Sequence, residues 1–301
     1  MLDKYVYDLS EEEYKDCLAR AEIAVFGRCE SVKEPKSIFV VAQPGAGKTA
    51  LRSYVVNEAQ NAGKFAKFVE FNPDEIAIHH KYYREILRDF PEDSYEILKR
   101  FTYRAQDFYL RQRAVDLKCN ILQEGTFATT DGYLGIINYQ QGNGYDIDIN
   151  VLAVNRFESL LSSFEREQFF IENDLPPRPV MIENHDYSYE KMLETLDAVE
   201  KRHAYNQLRV FKRGYFAEKP ELIYAAGDNR FPSVREAVVY ERKMQEKQIL
   251  ENPAPYFERI EKLKERGLNN DNESLKNRIA KFEEILQERV KEYKEEEHAL
   301  L

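Results

Sequence analysis

Cysteine and positive charge are both scarce in this sequence, and each shortage excludes a class of protein. Its 3 cysteines, Cys17, Cys29 and Cys119, are too few and too scattered to predict a disulfide framework or a zinc site. The formal net charge of −10 argues against binding to nucleic acid or to an anionic membrane, because either partner requires a basic face. Any anionic ligand must therefore be met by local cations or by backbone N–H groups.

Long apolar runs are missing as well. No segment approaches the roughly 20 apolar residues that a membrane-spanning helix requires. Residues 1–25 carry acidic side chains where a secretion signal would carry basic ones. We therefore expect a cytoplasmic protein.

Short apolar runs alternate with helical patterns between residues 37 and 226, which indicates an α/β domain with a mostly parallel sheet. The predicted strands are 38–42, 65–71, 120–123, 147–154, 208–211 and 221–225. The predicted helices between them are 49–61, 76–88, 94–117, 132–140, a helix capped by Asn155 that ends near Glu172, and 188–203.

The segment 42–49 reads AQPGAGKT and matches the phosphate-loop pattern GxxxxGK[ST] except at its first position, where Ala42 replaces glycine. Glycines in such a loop let backbone N–H groups turn toward phosphate oxygens. Lys48 supplies a charge for the β- and γ-phosphates of ATP or GTP, and the Thr49 hydroxyl can bind Mg²⁺. The residues predicted to hold the nucleotide are Ala42, Gln43, Pro44, Gly45, Ala46, Gly47, Lys48 and Thr49.

Two carboxylates follow the next two predicted strands. Asp74 comes after the second strand and Glu124 ends the third, so both should face the phosphate loop at the carboxyl edge of the sheet. A carboxylate there can accept the proton of an attacking hydroxyl. From the residues alone, Asp74 is an equally good N-cap for a helix that begins before Ile76. Farther on, Arg166 and Arg178 could neutralise charge on a transferring phosphoryl group.

With these motifs the chain resembles the zeta toxin family, the kinase half of bacterial epsilon–zeta toxin–antitoxin systems. The matching segments are QPGAGKTALR, NPDE, EGTFATTD, LAV and FER. The resemblance implies a P-loop kinase-like fold and transfer of the ATP γ-phosphate, with Mg²⁺, to the 3′-hydroxyl of UDP-N-acetylglucosamine, which blocks cell-wall synthesis. It also implies a small helical antitoxin chain that covers the nucleotide site.

The same resemblance assigns roles to individual residues. Asp74 would be the catalytic base, and Lys48, Arg166 and Arg178 would complete the catalytic set at the phosphates. Glu124 and Thr126 would line the sugar site.

Two positions depart from the family on the acceptor side. Ala128 stands where the family often carries an arginine, and Phe108 stands where an acidic residue helps to read the sugar. Asp107 is the neighbouring candidate for substrate binding, although on a regular helix it would point about 100° away. Another nucleotide, a cofactor or an antibiotic hydroxyl therefore remains open as the acceptor. In a third interpretation the protein is a nucleotide-gated interaction module, in which Asp74 would be dispensable.

The expected organisation has three parts. Residues 1–36 contribute an N-terminal helix that starts at Ser10 and packs on the core. Residues 37–232 form the P-loop phosphotransferase domain. Residues 233–301 form a C-terminal helical extension, and the alternatives for it are a free coiled coil or a solvated tail. Its apolar stripe is Leu275, Ile279, Phe282, Leu286, Val290 and Tyr293.

Overall fold

The structure, a computed structural model, describes residues 4–27, 29–61, 67–90, 93–175, 177–214, 219–268 and 272–299. Within these ranges the strands are β1 (Lys36–Val41), β2 (Phe68–Phe71), β3 (Asn120–Gly125), β4 (Asp146–Ala153), β5 (Gln207–Lys212) and β6 (Glu221–Ala225). They form one sheet in the order β2-β3-β1-β4-β5-β6. The strands β1 to β5 run parallel and β6 pairs antiparallel with β5, so the predicted mostly parallel sheet is confirmed.

Helices cover both faces of this sheet. Those in the described residues are α1 (Glu11–Phe26), α2 (Lys48–Asn61), α3 (Pro73–Ala77), α4 (Tyr83–Asp89), α5 (Ser94–Ala105), α6 (Arg111–Asp116), α7 (Thr130–Gly142), α8 (Arg156–Glu172), α9 (Ile182–Lys201), α10 (Val234–Glu251), α11 (Ala254–Gly267) and α12 (Glu273–Ala299). A 3₁₀ turn at Lys4–Tyr7 precedes α1, and a π segment at Gln106–Leu110 joins α5 to α6. None of these helices combines the length and the apolar character that crossing a membrane requires.

The N-terminal helix begins where its sequence pattern predicts. The Ser10 hydroxyl accepts a hydrogen bond from the Glu13 N–H at 3.3 Å, and the Glu13 carboxylate accepts one from the Ser10 N–H at 2.9 Å. Each side chain thus satisfies a backbone donor that the helix leaves unpaired, which is the capping-box arrangement. Tyr14, Cys17 and Ala21 bury the inner face of α1 in the main core.

One cysteine pair forms a bond that the sequence pattern did not predict. Cys29 and Cys119 are joined by a disulfide across a separation of 90 residues. The chain after α1 runs back beside the start of β3, where Ser31 forms a β-bridge with Cys119. This tertiary proximity, rather than any local spacing, pairs the two cysteines, and Cys17 stays buried and free.

Two predicted helices are interrupted in the structure. The predicted helix 76–88 is split into α3 and α4. Helix α3 starts earlier than predicted, at Pro73, and a turn separates its end from the start of α4 at Tyr83. The predicted helix 94–117 contains the π segment, in which Asp107 lies. The 100° rotation per residue of a regular helix does not describe a π segment, so that argument against Asp107 fails.

The C-terminal helices pack on α8. The α12 residues Leu275, Ile279, Phe282, Leu286 and Val290 share one buried cluster with the inner face of α8. A buried ion pair fastens the same contact, since both Glu167 carboxylate oxygens accept 2.8 Å hydrogen bonds from Arg278. The stripe is therefore the packed face of a helix, and α12 is not a free coiled coil. Helix α9, which follows α8, begins six residues before the predicted start at 188.

Candidate active site

The phosphate loop connects β1 to α2 and is shaped by two glycines. Gly45 has φ +73° and Gly47 has φ +91°, both in the left-handed region that favours glycine. A Cβ at Gly45 would lie 1.9 Å from the Ser159 carbonyl oxygen in the first turn of α8. Gly45 is therefore required twice, for its backbone conformation and for its close approach to α8.

The first residue of the loop does not need glycine. Ala42 is completely buried and is absent from the positive-φ positions of the described chain. Its N–H donates to the Gly125 carbonyl at the end of β3 at 3.1 Å. A small residue whose φ is not positive satisfies this position, which explains the departure from the pattern.

The second residue of the loop, Gln43, holds the loop in place through buried hydrogen bonds. The Gln43 Nε2 donates to the Val154 carbonyl at 2.8 Å and to the Ser159 hydroxyl at 3.1 Å. Its Oε1 accepts from Arg242 of α10 at 3.2 Å, and the Arg242 guanidinium stacks 3.6 Å from the Tyr189 ring centroid. The loop floor thus depends on a C-terminal helix.

Lys48 lies at the centre of the loop. Its Nζ donates to the carbonyls of Ala42 at 3.0 Å and of Gln43 at 3.2 Å. Burial lowers the pKa of Lys48 to about 8, and the charge of Arg166 acts in the same direction, while Glu124 and Asp74 oppose it. Three of the predicted site residues are therefore close enough to Lys48 to act on its charge.

Asp74 lies in the first turn of α3, but it does not cap that helix. The N-cap is Asn72, whose side-chain oxygen accepts from the Asp74 N–H at 3.1 Å, so the N-cap interpretation of Asp74 is wrong. The Asp74 carboxylate instead accepts a hydrogen bond from Arg178 Nη1 at 2.6 Å. Arg178 comes from the segment between α8 and α9, and its guanidinium lies 5.5 Å from the Phe170 ring centroid.

Arg166 completes a group of three cations. It projects from α8, and burial lowers its pKa, as does the nearby charge of Arg178. Its Nε is buried and has no hydrogen-bond partner within the part of the chain that the structure describes. Neighbouring like charges and an unsatisfied buried donor are costly unless anions balance them, so beside Asp74 the cations Lys48, Arg166 and Arg178 can accept a further anionic ligand.

Two of the residues expected on the acceptor side, Glu124 and Thr126, lie at the end of β3, whereas Asp107 lies in the π segment. Burial raises the pKa of the Glu124 carboxyl, while Lys48 and Arg52 act in the opposite direction. Thr126 follows the strand, and its backbone interacts with the buried Tyr133 hydroxyl. Asp107 accepts from Arg111 Nη1 at 2.5 Å, so it is tied to α6 and makes no described contact with the Lys48 group.

A small cavity opens beside Asp74. It has a volume of about 80 Å³ and is lined by Asp74, Arg178, Tyr83, Tyr95 and Thr102, among others. The Tyr95 and Tyr103 hydroxyls lie 3.1 Å apart on α5 at its edge. The Asp74 carboxylate therefore lines this cavity together with Arg178 and also acts on the charge of Lys48.

The oxygen atoms near the phosphate loop suit Mg²⁺, which binds few protein ligands, better than a metal ion held entirely by protein side chains. The described residues contain no cluster of three or more His, Cys, Asp or Glu side chains that could hold a metal. Thr49 is the second residue of α2, directly after Lys48, and Glu124 is close to Lys48. Mg²⁺ keeps several waters and binds through few protein oxygens plus substrate phosphates, so this donor set fits it.

Sequence reasoning missed two arginines at this site. Arg242 holds Gln43 from a position 199 residues away, and Arg213, which follows β5, lies against Gly47. Neither belongs to a local motif, so only the three-dimensional arrangement identifies them.

Comparisons with known proteins agree with this geometry. A family model described as zeta toxin matches residues 22–228, which is more than half of the chain. Toxin zeta of Enterococcus hirae is 25% identical over 261 residues, covering 86% of this chain and 85% of the relative. Toxin PezT of Streptococcus pneumoniae is 25% identical over 209 residues, covering 69% of this chain and 80% of the relative.

Solved structures show the same fold. A chain from the PezAT chromosomal toxin–antitoxin system of Streptococcus pneumoniae superposes with a TM-score of 0.69 at 20% identity, covering 87% of this chain and 100% of that one. A chain of the AvrRxo1-ORF1:-ORF2 complex superposes with a TM-score of 0.54 at 10% identity, covering 90% of this chain and 84% of that one.

Proposed function

The chain belongs to the zeta toxin family, and from this premise we propose that it is a kinase that transfers the γ-phosphate of ATP to a hydroxyl of a small molecule. The acceptor that we propose is UDP-N-acetylglucosamine, phosphorylated at the 3′-hydroxyl of its sugar, which would block cell-wall synthesis. The observation that supports this proposal best is the position of Asp74. Its carboxylate is close enough to Lys48 of the phosphate loop to act on that cation's charge, and it lines a cavity of about 80 Å³.

In the proposed reaction, different residues bind the phosphates, neutralise charge on the transferring group and accept the proton. The loop N–H groups and Lys48 bind the β- and γ-phosphates, and Arg166 and Arg178 neutralise charge that develops on the transferring group. Asp74 accepts the proton of the acceptor hydroxyl, whose oxygen forms the new bond to phosphorus while the bond to the ADP oxygen breaks. Arg178 already contacts Asp74 at 2.6 Å, so it can hold the base and the phosphoryl group in one geometry.

Thr49 and Glu124 are the residues that would hold magnesium. When bound, Mg²⁺ supplies positive charge that neutralises the β- and γ-phosphate oxygens. The chain's own contribution is to fix the Thr49 hydroxyl at the N-terminus of α2, whose partial positive charge also favours phosphate.

A direct transfer assay tests the proposal. The purified protein is incubated with ATP, Mg²⁺ and a panel of nucleotide sugars, cofactors and antibiotics, and each compound is examined by mass spectrometry for an added phosphoryl group. Phosphorylated UDP-N-acetylglucosamine is the expected product. If no compound in the panel gains phosphate while ATP still binds, the kinase proposal fails.

A second candidate keeps the reaction and changes the acceptor. The observation that favours it is at the π segment, where Phe108 is 78% exposed and Asp107 is engaged by Arg111. The acidic residue expected to bind the sugar is thus replaced by Phe108, and the neighbouring Asp107 is paired with Arg111. Phosphorylation of another nucleotide, cofactor or antibiotic in the same panel, with UDP-sugars unchanged, would establish this candidate.

We also propose that a small helical antitoxin chain covers the nucleotide site. The solved relative with the TM-score of 0.69 comes from a toxin–antitoxin system, which supports a partner of this kind. The test is to form a complex of the chain with a small helical antitoxin and to titrate it with a fluorescent ATP analogue. A complex that binds the analogue as tightly as the free chain would contradict the covering role.

A further inference from the structure

Arg213 lies against the phosphate loop, although no motif marks it. It follows β5, and a Cβ built on Gly47 would lie 3.4 Å from the Arg213 Nε and 3.7 Å from its Cζ. Gly47 directly precedes Lys48, so this guanidinium is next to the segment expected to bind phosphate. Within the described residues Arg213 makes its hydrogen bonds through Nη1 alone, which leaves Nε and Nη2 available to a ligand.

A buried carboxylate on α8 holds Arg213 in this place. Glu158 is only 4% exposed and accepts from Arg213 Nη1 at 3.1 Å. The same carboxylate accepts from Arg259 Nη1 at 2.8 Å and from the Tyr256 hydroxyl at 2.8 Å, and both of these residues belong to α11. Burial would raise the pKa of Glu158, but the hydrogen bonds and charge of Arg259 hold it below its usual value.

Two arginines can share the Glu158 carboxylate because a second carboxylate, Glu165, balances the additional positive charge. Arg259 also forms a two-pronged contact with Glu165 of α8, with both hydrogen bonds 2.8–2.9 Å long. Two guanidinium groups thus face two carboxylates. Because Glu158 divides its oxygens between Arg213 and Arg259, Arg213 is held by one N–H group only and its remaining donors stay directed along the loop.

We propose that Arg213 is a further ligand of the nucleotide phosphates and that Arg259 of α11 positions it through Glu158. Helix α11 is then part of the nucleotide site, although Arg259 acts on the phosphate loop only through Glu158 and Arg213. Of the two cations described beside Glu158, removing Arg259 leaves Arg213, which draws the Arg213 guanidinium toward α8 and away from the loop. This inference rests on the proposed nucleotide binding.

Binding of a fluorescent ATP analogue with Mg²⁺ tests it in the full chain. Arg213→Met is expected to weaken binding by about ten- to hundredfold, the range for one charged hydrogen-bonding group. Arg259→Met is expected to weaken it by about three- to tenfold, and Arg259→Lys to recover part of that loss. Because Arg259 acts through Arg213, the double variant should bind no more weakly than Arg213→Met alone, whereas independent effects would add.

Arg266→Met is the matched control. Arg266 also lies on α11 and also pairs with an α8 carboxylate, Glu172, at 2.6 Å, but on the exposed side away from the loop. Its affinity for the analogue should stay within twofold of the parent chain. Thermal unfolding of every variant identifies any that fail to fold, and for those the Lys substitutions at 213 and 259 provide the measurement.

Each result is decisive for one of the two proposals. If the parent chain binds no nucleotide, the proposed function fails. If the parent binds and the folded Arg213 variants bind equally well, or if Arg213 and Arg259 effects simply add, the inference is overturned. A phosphate ligand loses affinity equally for ATP and GTP analogues, so a change in their ratio would also contradict it.

Discussion

On the phosphate-loop side of the cleft, the loop backbone packs closely against α8 and buried side chains. The acceptor side consists instead of side chains, several of them on short helical segments. On the first side, Gly45 is pressed against α8, and Gln43 is buried and hydrogen-bonded at both ends of its amide. On the second side, α3 and α4 have only 5 and 7 residues, and Tyr95, Tyr103 and Phe108 are exposed. Under the proposed function the first side would bind phosphate and the second would bind the acceptor, and we call them the fixed half and the variable half.

The largest effect is expected at the residue that joins the two halves. Asp74→Asn should lower kcat by about a hundred- to ten-thousandfold, because a proton acceptor is lost. The dissociation constant for ATP should change less than twofold, since Asp74 is not among the loop residues. Transfer by single-turnover kinetics and binding by titration measure the two. Glu75→Gln, on the next and exposed carboxylate, is the control; unchanged transfer by Asp74→Asn would instead favour the interaction-module interpretation.

The next effect tests how rigid the loop is. Gly45→Ala places a Cβ 1.9 Å from the Ser159 oxygen at φ +73°, so we expect nucleotide binding to be lost. The free energy of unfolding should fall by about 3 kcal/mol, as for severe backbone strain. Gly135→Ala in α7 is the contrasting variant, since nothing lies within 4 Å of its Cβ. It should raise the free energy of unfolding by about 0.5–1 kcal/mol in urea titration; equal stability of both variants would show that the loop can yield.

A pH titration tests the electrostatics of the same side. The pKa of Lys48 is lowered to about 8, so the group is charged below that pH and neutral above it. Phosphate requires the charged form, so affinity for ATP should be constant up to about pH 7 and should fall about tenfold by pH 9. An affinity that stays constant to pH 9, measured in the same buffer ions, would contradict the lowered pKa.

The smallest effect is expected on the acceptor side. Asp107→Asn removes the counter-charge of Arg111, which also donates to Gln123 on β3 at 3.2 Å. The acceptor KM should rise by about threefold, the scale of one partly exposed ion pair, while the KM for ATP stays constant. Asp116→Asn, at the exposed end of α6, should change neither. A rise in the KM for ATP would show that the two halves are coupled.

The phosphate loop and much of the fold around it can be predicted from sequence, because the residues that signal them are close together in the chain. The loop pattern, the capping box at Ser10 and the N-cap at Asn155 each depend on residues within a few positions of one another. At every strand end that can be compared, the predicted and observed bounds differ by two residues or fewer. The predicted start of the second strand, at 65, lies outside the described residues.

The second half could not be predicted in the same way, because its contacts are remote in sequence. The helix pattern at 94–117 is continuous, yet a π segment changes where Asp107 points. The Asp74 carboxylate is explained by Arg178, which is 104 residues away, and no local pattern separates that role from an N-cap. Cys29 and Cys119 were dismissed on spacing alone, although the sheet brings them together.

That sulfur bridge has a consequence for the whole molecule. It closes a covalent ring that contains the phosphate loop, the proton acceptor and every short helix of the variable half, while Glu124 lies just outside it. In the chain-entropy model a ring of this circumference restrains the unfolded chain by about 4–5 kcal/mol. Reduction of this bond should therefore lower the free energy of unfolding of the whole chain by up to that amount, and the effect falls on the fold rather than on the proposed site alone.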